Sequence, residues 1–153
     1  MEQLPFYSGG LRFSCTRCSA CCRYESGYVF LSREDLDILA AALDMAGGDF
    51  VKTWCRWVPL GGGTEYLSLK EKLNDDCIFW KDGCTVYRSR PLQCRTFPFW
   101  DSVVVSAEAW ESAGRGCPGM GRGELRGMAY IEGCLRARAS QPPLARKAER
   151  PEL

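Results

Sequence analysis

Hydrophobic positions recur at helical spacing in the first third of the chain. Leu36, Leu39 and Leu43 follow one another at intervals of three and four residues, which places them on one helix face. Ser32 precedes this run as a candidate N-cap, and glycines at 47–48 follow it as a break. The pattern therefore predicts a helix that begins after Ser32 and ends before these glycines.

Shorter apolar runs predict strands separated by turns. Residues 28–31 form one apolar run, and residues 65–72 show partial alternation. Residues 102–106 are rich in valine, which is typical of a strand. Two further apolar runs flank Asp82-Gly83, so residues 77–87 are predicted to form a hairpin.

Three further helical segments complete the predicted order of elements. They are a short helix over residues 49–55, a helical turn opened by Pro91, and a terminal helix over residues 124–138. The mixture predicts an α+β fold, a small irregular single domain. We assign residues 1–140 to this domain and the proline-broken residues 141–153 to a flexible C-terminal tail.

Composition and charge exclude several classes of partner. The 153 residues are 46% hydrophobic and 25% charged, which is ordinary for one globular domain. The formal net charge is only +1, so we expect no nucleic-acid partner. No stretch approaches the ~20 apolar residues of a membrane span, so we expect no membrane insertion.

Cysteine content is the unusual feature of the composition. The chain has ten cysteines and no histidine. In a secreted protein the cysteines would indicate disulfides, but the first residues show neither a basic segment nor a long apolar run of a signal peptide. We therefore expect a cytoplasmic protein whose thiols are reduced. Without histidine, any metal site must use mainly sulfur, which favours zinc or iron–sulfur clusters.

Four of the cysteines fall within eight residues, Cys15, Cys18, Cys21 and Cys22. The first three are spaced as in the ferredoxin run C-x2-C-x2-C. Cys21 and Cys22 are adjacent, and neighbouring side chains on a helix diverge by about 100°. The run is therefore interpreted as one half of a site. The side chains of Cys21 and Cys22 are expected to point in different directions and not to bind the same metal position.

A second group of cysteines follows along the chain and completes the candidate ligands. Cys77 and Cys84 flank the predicted hairpin turn, so they are expected to lie side by side. With Cys94 and Cys117 they raise the number of candidate metal ligands to eight, which are Cys15, Cys18, Cys21, Cys22, Cys77, Cys84, Cys94 and Cys117.

The arrangement resembles the CxxCxxCC family, the YkgJ-like cysteine cluster proteins that are described as zinc- or iron-chelating. The matching motifs are Cys15-x2-Cys18-x2-Cys21-Cys22, Cys77-x6-Cys84, Tyr87-x2-Arg90-Pro91-x2-Cys94-Arg95-x-Phe97-Pro98-Phe99 and Cys117-Pro118-Gly119. The resemblance covers roughly residues 13–120 and implies metal chelation. A similar cysteine pattern in the flagellin lysine methylases is associated with a [4Fe–4S] cluster.

The sequence leaves two kinds of metal centre open. Three thiolates at ferredoxin spacing favour a [4Fe–4S] cluster whose fourth ligand comes from a distance, with Cys94 and Cys117 as candidates. The alternative uses all eight cysteines in two zinc tetrathiolate sites. Cys55 and Cys134 lie outside both sets and are interpreted as buried apolar thiols.

Three functional hypotheses follow from these centres. The favoured one is a metal-binding protein with an electron-transfer, sensing or accessory role, acting with a protein or redox partner. The second is a zinc-stabilised interaction module without redox chemistry. The third is a cluster-dependent enzyme that acts with a partner. No catalytic residue can be named, because the chain lacks a histidine base and a recognisable cosubstrate motif.

Overall fold

The computed structural model describes residues 2–19, 21–23 and 27–149. Across these residues it contains six α-helices, a two-stranded sheet and a three-stranded sheet, which confirms the α+β class. The backbone divides into two compact units. Unit 1 comprises Met1–Cys21 and Thr96–Ser140, and unit 2 comprises Cys22–Arg95 and Gln141–Leu153.

Unit 1 combines a small antiparallel sheet with three helices. Strands β1 (Leu11–Phe13) and β4 (Met120–Arg126) pair with an irregularity between Arg12 and Phe13. The helices are α4 (Asp101–Val104), α5 (Ala107–Gly114) and α6 (Met128–Ser140). The pairing joins the segment before the cysteine run to the segment after Cys117.

The core of unit 1 is small and aromatic. Phe99 and Ile131 are buried at its centre, and Val104 packs with them. Phe13 of β1 contacts the Phe99 ring edge-to-face at a centroid distance of 6.0 Å. The core therefore anchors β1 directly ahead of the first cysteine, Cys15.

Unit 2 contains the larger sheet and the remaining helices. Its antiparallel sheet has the order β2-β3-β5, with β2 (Cys55–Pro59), β3 (Thr64–Leu69) and β5 (Ala145–Lys147). The helices are α1 (Arg33–Ala42), α2 (Gly47–Trp54) and α3 (Leu92–Thr96), and a short 3₁₀ turn covers Tyr87–Ser89.

Helix α1 begins where the sequence predicts it. The Ser32 hydroxyl accepts the Asp35 N–H, and the Asp35 carboxylate accepts the Ser32 N–H, each at 3.1 Å. This reciprocal capping box fixes the first turn. Leu36 and Leu39 then pack into a core that also contains Phe50 of α2.

Residues 28–31 form no strand and contribute only the isolated bridge of Phe30 with Ser68. Two other predictions about local structure are wrong. Residues 102–106 do not form a strand, because α4 occupies Asp101–Val104 and buries two of the valines. The terminal helix does not begin at residue 124, because that residue belongs to β4 and α6 begins only at Met128. Pairing with β1 explains the second difference, since a partner 115 residues away is invisible in local sequence.

The predicted hairpin and tail differ from the structure in extent. Within residues 77–87 the turn is present, but its arms form no named strands and are joined by the isolated bridge Trp80–Cys84 and by a hydrogen bond from the Thr85 N–H to the Phe79 carbonyl at 2.9 Å. Residues 145–147, inside the segment assigned to a tail, form β5 on β3. Residues 150–153 of that segment lie outside the described residues, and the domain boundary at residue 140 stays a prediction.

In the described part of the chain, no helix has the length and apolar character that would let it cross a membrane.

Candidate metal centre

The eight predicted ligands divide equally between the two units. Unit 1 carries four of them, Cys15, Cys18, Cys21 and Cys117. Unit 2 carries the other four, Cys22, Cys77, Cys84 and Cys94. The division falls between the adjacent Cys21 and Cys22.

Backbone contacts inside unit 1 hold the chain before Cys15 against the chain after Cys117. Ser14 donates its N–H to the Gly119 carbonyl at 3.3 Å. The Ser14 hydroxyl accepts the N–H of Glu124 at 2.9 Å. A Cβ on Gly119 would lie 2.2 Å from the Ser14 carbonyl oxygen, so only glycine permits this approach. The first cysteine of the run and the distant Cys117 therefore lie in neighbouring segments.

Backbone N–H groups contact the sulfur atoms of both cysteines. The Arg17 N–H donates to Cys15 Sγ at 3.4 Å, and Arg17 adopts a left-handed φ of 56°. Burial raises the pKa of the Cys117 thiol, whereas hydrogen bonds from the N–H groups of Gly119 and Met120 lower it. Such N–H···S contacts are common around metal-bound thiolates, where they orient and tune the sulfur ligand.

Two further observations describe the thiols of unit 1. Burial is the largest cause of the raised pKa of Cys117, and the neighbouring thiols of Cys18 and Cys15 raise this pKa as well. The three sulfur atoms are therefore close enough to interact. Cys15, Cys18 and Cys21 are exposed, whereas Cys117 is half-buried. Three of the four candidate ligands in this unit are therefore accessible from solvent.

In unit 2, Cys22 and Cys77 lie in adjacent backbone segments. The Cys77 N–H donates to the Cys22 carbonyl at 2.7 Å. The residues beside them form an ion pair, with Arg23 Nε 3.3 Å from Asp76 Oδ1. Asp76 is only 4% exposed, and the Arg23 guanidinium also stacks 3.7 Å from the centre of the Trp80 ring. These contacts fix the two cysteine segments to each other.

Cys84 follows a tight turn that returns the chain toward Cys77. The Trp80 N–H donates to the Cys77 carbonyl at 2.9 Å, and Trp80 forms a bridge with Cys84. The Lys81 N–H closes the turn on the Gly83 carbonyl at 2.8 Å. The prediction that an Asp-Gly turn connects the two cysteine segments is therefore confirmed.

Cys94 is carried by the short helix α3, which side chains from other elements hold in place. The buried Asp35 of α1 accepts the Leu92 N–H on Oδ1 at 2.9 Å. Gln93 Oε1 accepts the Phe30 N–H at 3.0 Å, and its amide Nε2 donates to the same segment at 2.8 Å. The residues on either side of this ligand are thus tied to α1 and to the segment that precedes it.

The sequence did not identify the residues that support the candidate ligands. Asp76 and Trp80 stand close to Cys77 in sequence, and Gly119 belongs to the Cys-Pro-Gly motif, so proximity to a cysteine was an available signal. Asp35 and Gln93 have no such signal, since their contacts join positions 57 and 63 residues apart.

Cys55 and Cys134 are buried, which confirms their interpretation as apolar thiols. Burial raises the pKa of Cys55 to about 12, and the nearby Lys70 offsets only part of this effect. Burial also raises the pKa of Cys134, while a hydrogen bond with the Tyr130 side chain lowers it. Both residues are protonated at neutral pH, unlike a metal ligand.

The donor set fits a thiophilic metal by its chemistry. All eight candidates are cysteines, and no histidine competes with them. Cys15, Cys18 and Cys117 are free thiols, which disfavours a disulfide framework in unit 1. Across residues 2–19, 21–23 and 27–149, no three acidic or cysteine side chains are gathered into a closed coordination group. The ligand assignment therefore stays a prediction.

These features define a cysteine-rich α+β protein of the metal-chelating class. A family model matches residues 14–118, and its description is "CxxCxxCC: Putative zinc- or iron-chelating domain". The match spans more than half of the chain, so the chain belongs to this family and the resemblance inferred from the motifs is confirmed. No solved structure matches the chain.

Proposed function

We propose that this chain is a metal-binding protein that holds a [4Fe–4S] cluster on the four thiolates of unit 1, Cys15, Cys18, Cys21 and Cys117. The ferredoxin spacing of the first three supports this choice, and Cys117 precedes a proline as the last cysteine of a ferredoxin run does. The observation that carries the proposal is the docking of Ser14 on Gly119, which brings Cys117 next to the cysteine run.

The residues around these thiolates suit a redox or sensing role. A bound cluster would supply one-electron chemistry, at a potential set by hydrogen bonds to sulfur and by solvent exposure. The N–H groups of Arg17, Gly119 and Met120 provide such hydrogen bonds. Cys15, Cys18 and Cys21 are exposed, which gives a redox partner close access to them. We therefore propose electron transfer, sensing or an accessory role with a protein partner in the reducing cytoplasm.

Zinc is the second candidate, and the equal division of the cysteines favours it. Four thiolates in each unit match the ligand count of a closed tetrahedral zinc site. Two such sites would stabilise the fold without redox chemistry, and the chain would then act as an interaction module.

Metal and sulfide analysis of anaerobically purified protein tests the proposal. We expect iron and acid-labile sulfide, with a broad visible absorption band, in the wild-type protein and in Cys134→Ser. Cys117→Ser should lose this band, because it removes the fourth ligand, whereas Cys134 is a buried thiol outside the site. Colourless wild-type protein that carries zinc would support the second candidate, and the absence of any bound metal would reject both.

A further inference from the structure

Three arginines stand on one short segment of unit 2, and the segment has no acidic residue of its own. Arg88 lies in the 3₁₀ turn, Arg90 follows it and Arg95 lies in α3, whereas residues 83–95 contain no aspartate or glutamate. We propose that these three side chains, the arginine surface, bind carboxylate groups on an acidic face of a protein partner. This inference rests on the proposed function in one respect, that the chain acts with a protein partner, and it does not depend on which metal is bound.

Buried residues anchor the segment that carries the arginines. Val86, Pro91 and Leu92 are buried. The Ser89 N–H donates to the Val86 carbonyl at 2.8 Å, and the Arg95 N–H donates to the Pro91 carbonyl at 3.0 Å. The backbone beneath the arginine surface is therefore fixed, so the three side chains start from defined positions.

Two of the guanidinium groups are themselves held in place. Arg90 Nε donates to the Tyr87 carbonyl at 3.0 Å, and the Arg90 guanidinium lies 3.9 Å from the centre of the Tyr87 ring. Arg95 Nε donates to the Arg90 carbonyl at 3.0 Å. Among the described residues, the Nη atoms of these two groups have no hydrogen-bond acceptor and no carboxylate partner. A guanidinium ordered in this way offers its remaining N–H groups to a carboxylate with less entropy to lose.

The charge of this surface is positive and reaches solvent. Arg88 and Arg95 are exposed, and Arg90 is half-buried. Asp35 contacts the segment through the Leu92 N–H, but it is only 3% exposed and its carboxylate accepts backbone N–H groups. It therefore forms no ion pair with the arginine surface. Exposed charges of one sign steer a partner of opposite charge toward the surface, and salt weakens this attraction.

The observations favour a protein partner over a nucleic acid. The formal net charge of +1 provides no extended positive field along which a phosphate backbone would bind. Tyr87 is the aromatic residue within residues 83–95, and the Arg90 guanidinium covers one face of its ring. This ring is therefore a poor platform for base stacking, whereas a small set of ordered guanidinium groups suits individual carboxylates.

Binding of a fluorescent hexaglutamate peptide to the full-length chain, followed by anisotropy at low salt, tests the proposal. We expect the wild-type protein to bind this probe, less tightly as salt is added, and not to bind hexaglutamine. Arg90→Gln/Arg95→Gln should weaken binding about tenfold, because two charge pairs are lost. The matched control is Arg115→Gln/Arg122→Gln, which removes two exposed arginines of unit 1 and should leave the affinity unchanged.

Two further variants distinguish a built site from net charge and from a folding defect. Arg90→Lys/Arg95→Lys keeps both positive charges but removes the planar guanidinium groups, so most of the affinity should be lost. Arg88→Gln changes an exposed residue whose side chain forms no hydrogen bond or ion pair within the described part of the chain. It should weaken binding about threefold, and a loss in this variant cannot be attributed to unfolding.

Several results would overturn this inference. Wild-type protein that does not bind hexaglutamate, or glutamine variants of the arginine surface that match the unit 1 control, would show that no carboxylate site exists here. Full affinity in Arg90→Lys/Arg95→Lys would reduce the surface to its net charge and reject a built site. Tighter binding of an oligothymidylate with six phosphates at the same arginines would assign a nucleic acid instead. Metal and sulfide content is measured independently of these titrations, so the proposed function stands or fails separately.

Discussion

Replacing Gly119 with alanine tests whether the close backbone approach assembles the unit 1 site. The added Cβ would lie 2.2 Å from the Ser14 carbonyl oxygen, whereas ordinary contact begins at 3.4 Å, so the two segments must separate by about 1.2 Å. The obstacle is backbone and cannot rotate away. Overpacking of this kind costs about 1–3 kcal/mol. Moving the Cys117 segment away from Cys15 should also weaken metal binding at the site.

Two measurements follow this substitution. Denaturant unfolding of the metal-free chain should show the loss of about 1–3 kcal/mol. A competition titration should show metal affinity reduced about tenfold for each ~1.4 kcal/mol lost in binding. Gly127→Ala is the control, because its Cβ would meet nothing within 4 Å and its φ is not left-handed. Both substitutions change the entropy of the unfolded chain alike, so their difference isolates the contact with Ser14.

Equal results for Gly119→Ala and Gly127→Ala in both measurements would refute a role of this contact in assembling the site. Equal unfolding free energies would mean that the backbones of Ser14 and Gly119 do not approach as described. A destabilised chain with unchanged metal affinity would mean that the contact supports unit 1 but does not position Cys117.

Four further predictions concern unit 2 and metal removal. Asp35→Ala removes the carboxylate that accepts the N–H groups of Ser32 and Leu92. We expect the free energy of unfolding to fall by about 1–3 kcal/mol for each of these two N–H groups. The control Asp37→Ala changes an exposed residue and should have little effect. In the metal-free chain, Cys55 should alkylate far more slowly than Cys15, since a rise in pKa from 9.0 to about 12 lowers the thiolate fraction at pH 8 roughly a thousandfold. Because this folded-state pKa lies above that of the unfolded thiol, stability should fall as the pH rises from 9 toward 12. A chelator should lower the melting temperature, because metal that binds only the folded chain stabilises it.

The substitution, the alkylation and the chelator predictions each have a contrary result. Equal stability of Asp35→Ala and Asp37→Ala would show that the buried carboxylate is dispensable. Mass spectrometry that found Cys55 alkylated as fast as Cys15 would contradict its burial. A melting temperature unaffected by the chelator, in protein shown to lose its metal, would mean that the fold does not depend on the centre.

Local signals in the sequence predicted the elements that depend on local contacts. The capping box of Ser32 and Asp35 spans three residues, so α1 was predictable from spacing alone. The valines at 103–104 led to the wrong prediction of a strand, because their structure depends on tertiary packing and not on local preference. Their β-branched side chains favour a strand in isolation, but burial of both in one helical turn overrides that preference. Strand β4 was missed because its glycine-rich sequence gains its structure from pairing with a distant β1.

The candidate site shows the same limit. Sequence spacing and motifs identified all eight cysteines as candidate metal ligands. Because Cys21 and Cys22 are adjacent, their side chains were expected to point in different directions. Spacing could not choose a fourth ligand between Cys94 and Cys117, because that choice depends on contacts between segments about a hundred residues apart. The backbone bond between Ser14 and Gly119 is such a contact, and it is the reason that the proposal selects Cys117.

The pairing of β1 with β4 has a consequence for biosynthesis. The ribosome releases Cys21 well before Cys117, and the 96 residues from 22 to 117 take roughly 5–20 s at about 5–20 residues per second. During that interval the nascent chain presents the thiols of the first run without the segment that carries the proposed fourth ligand, Cys117. Oxidation or capture of the wrong metal is then possible, so in the cell the fidelity of metal loading depends on how the emerging chain is kept reduced.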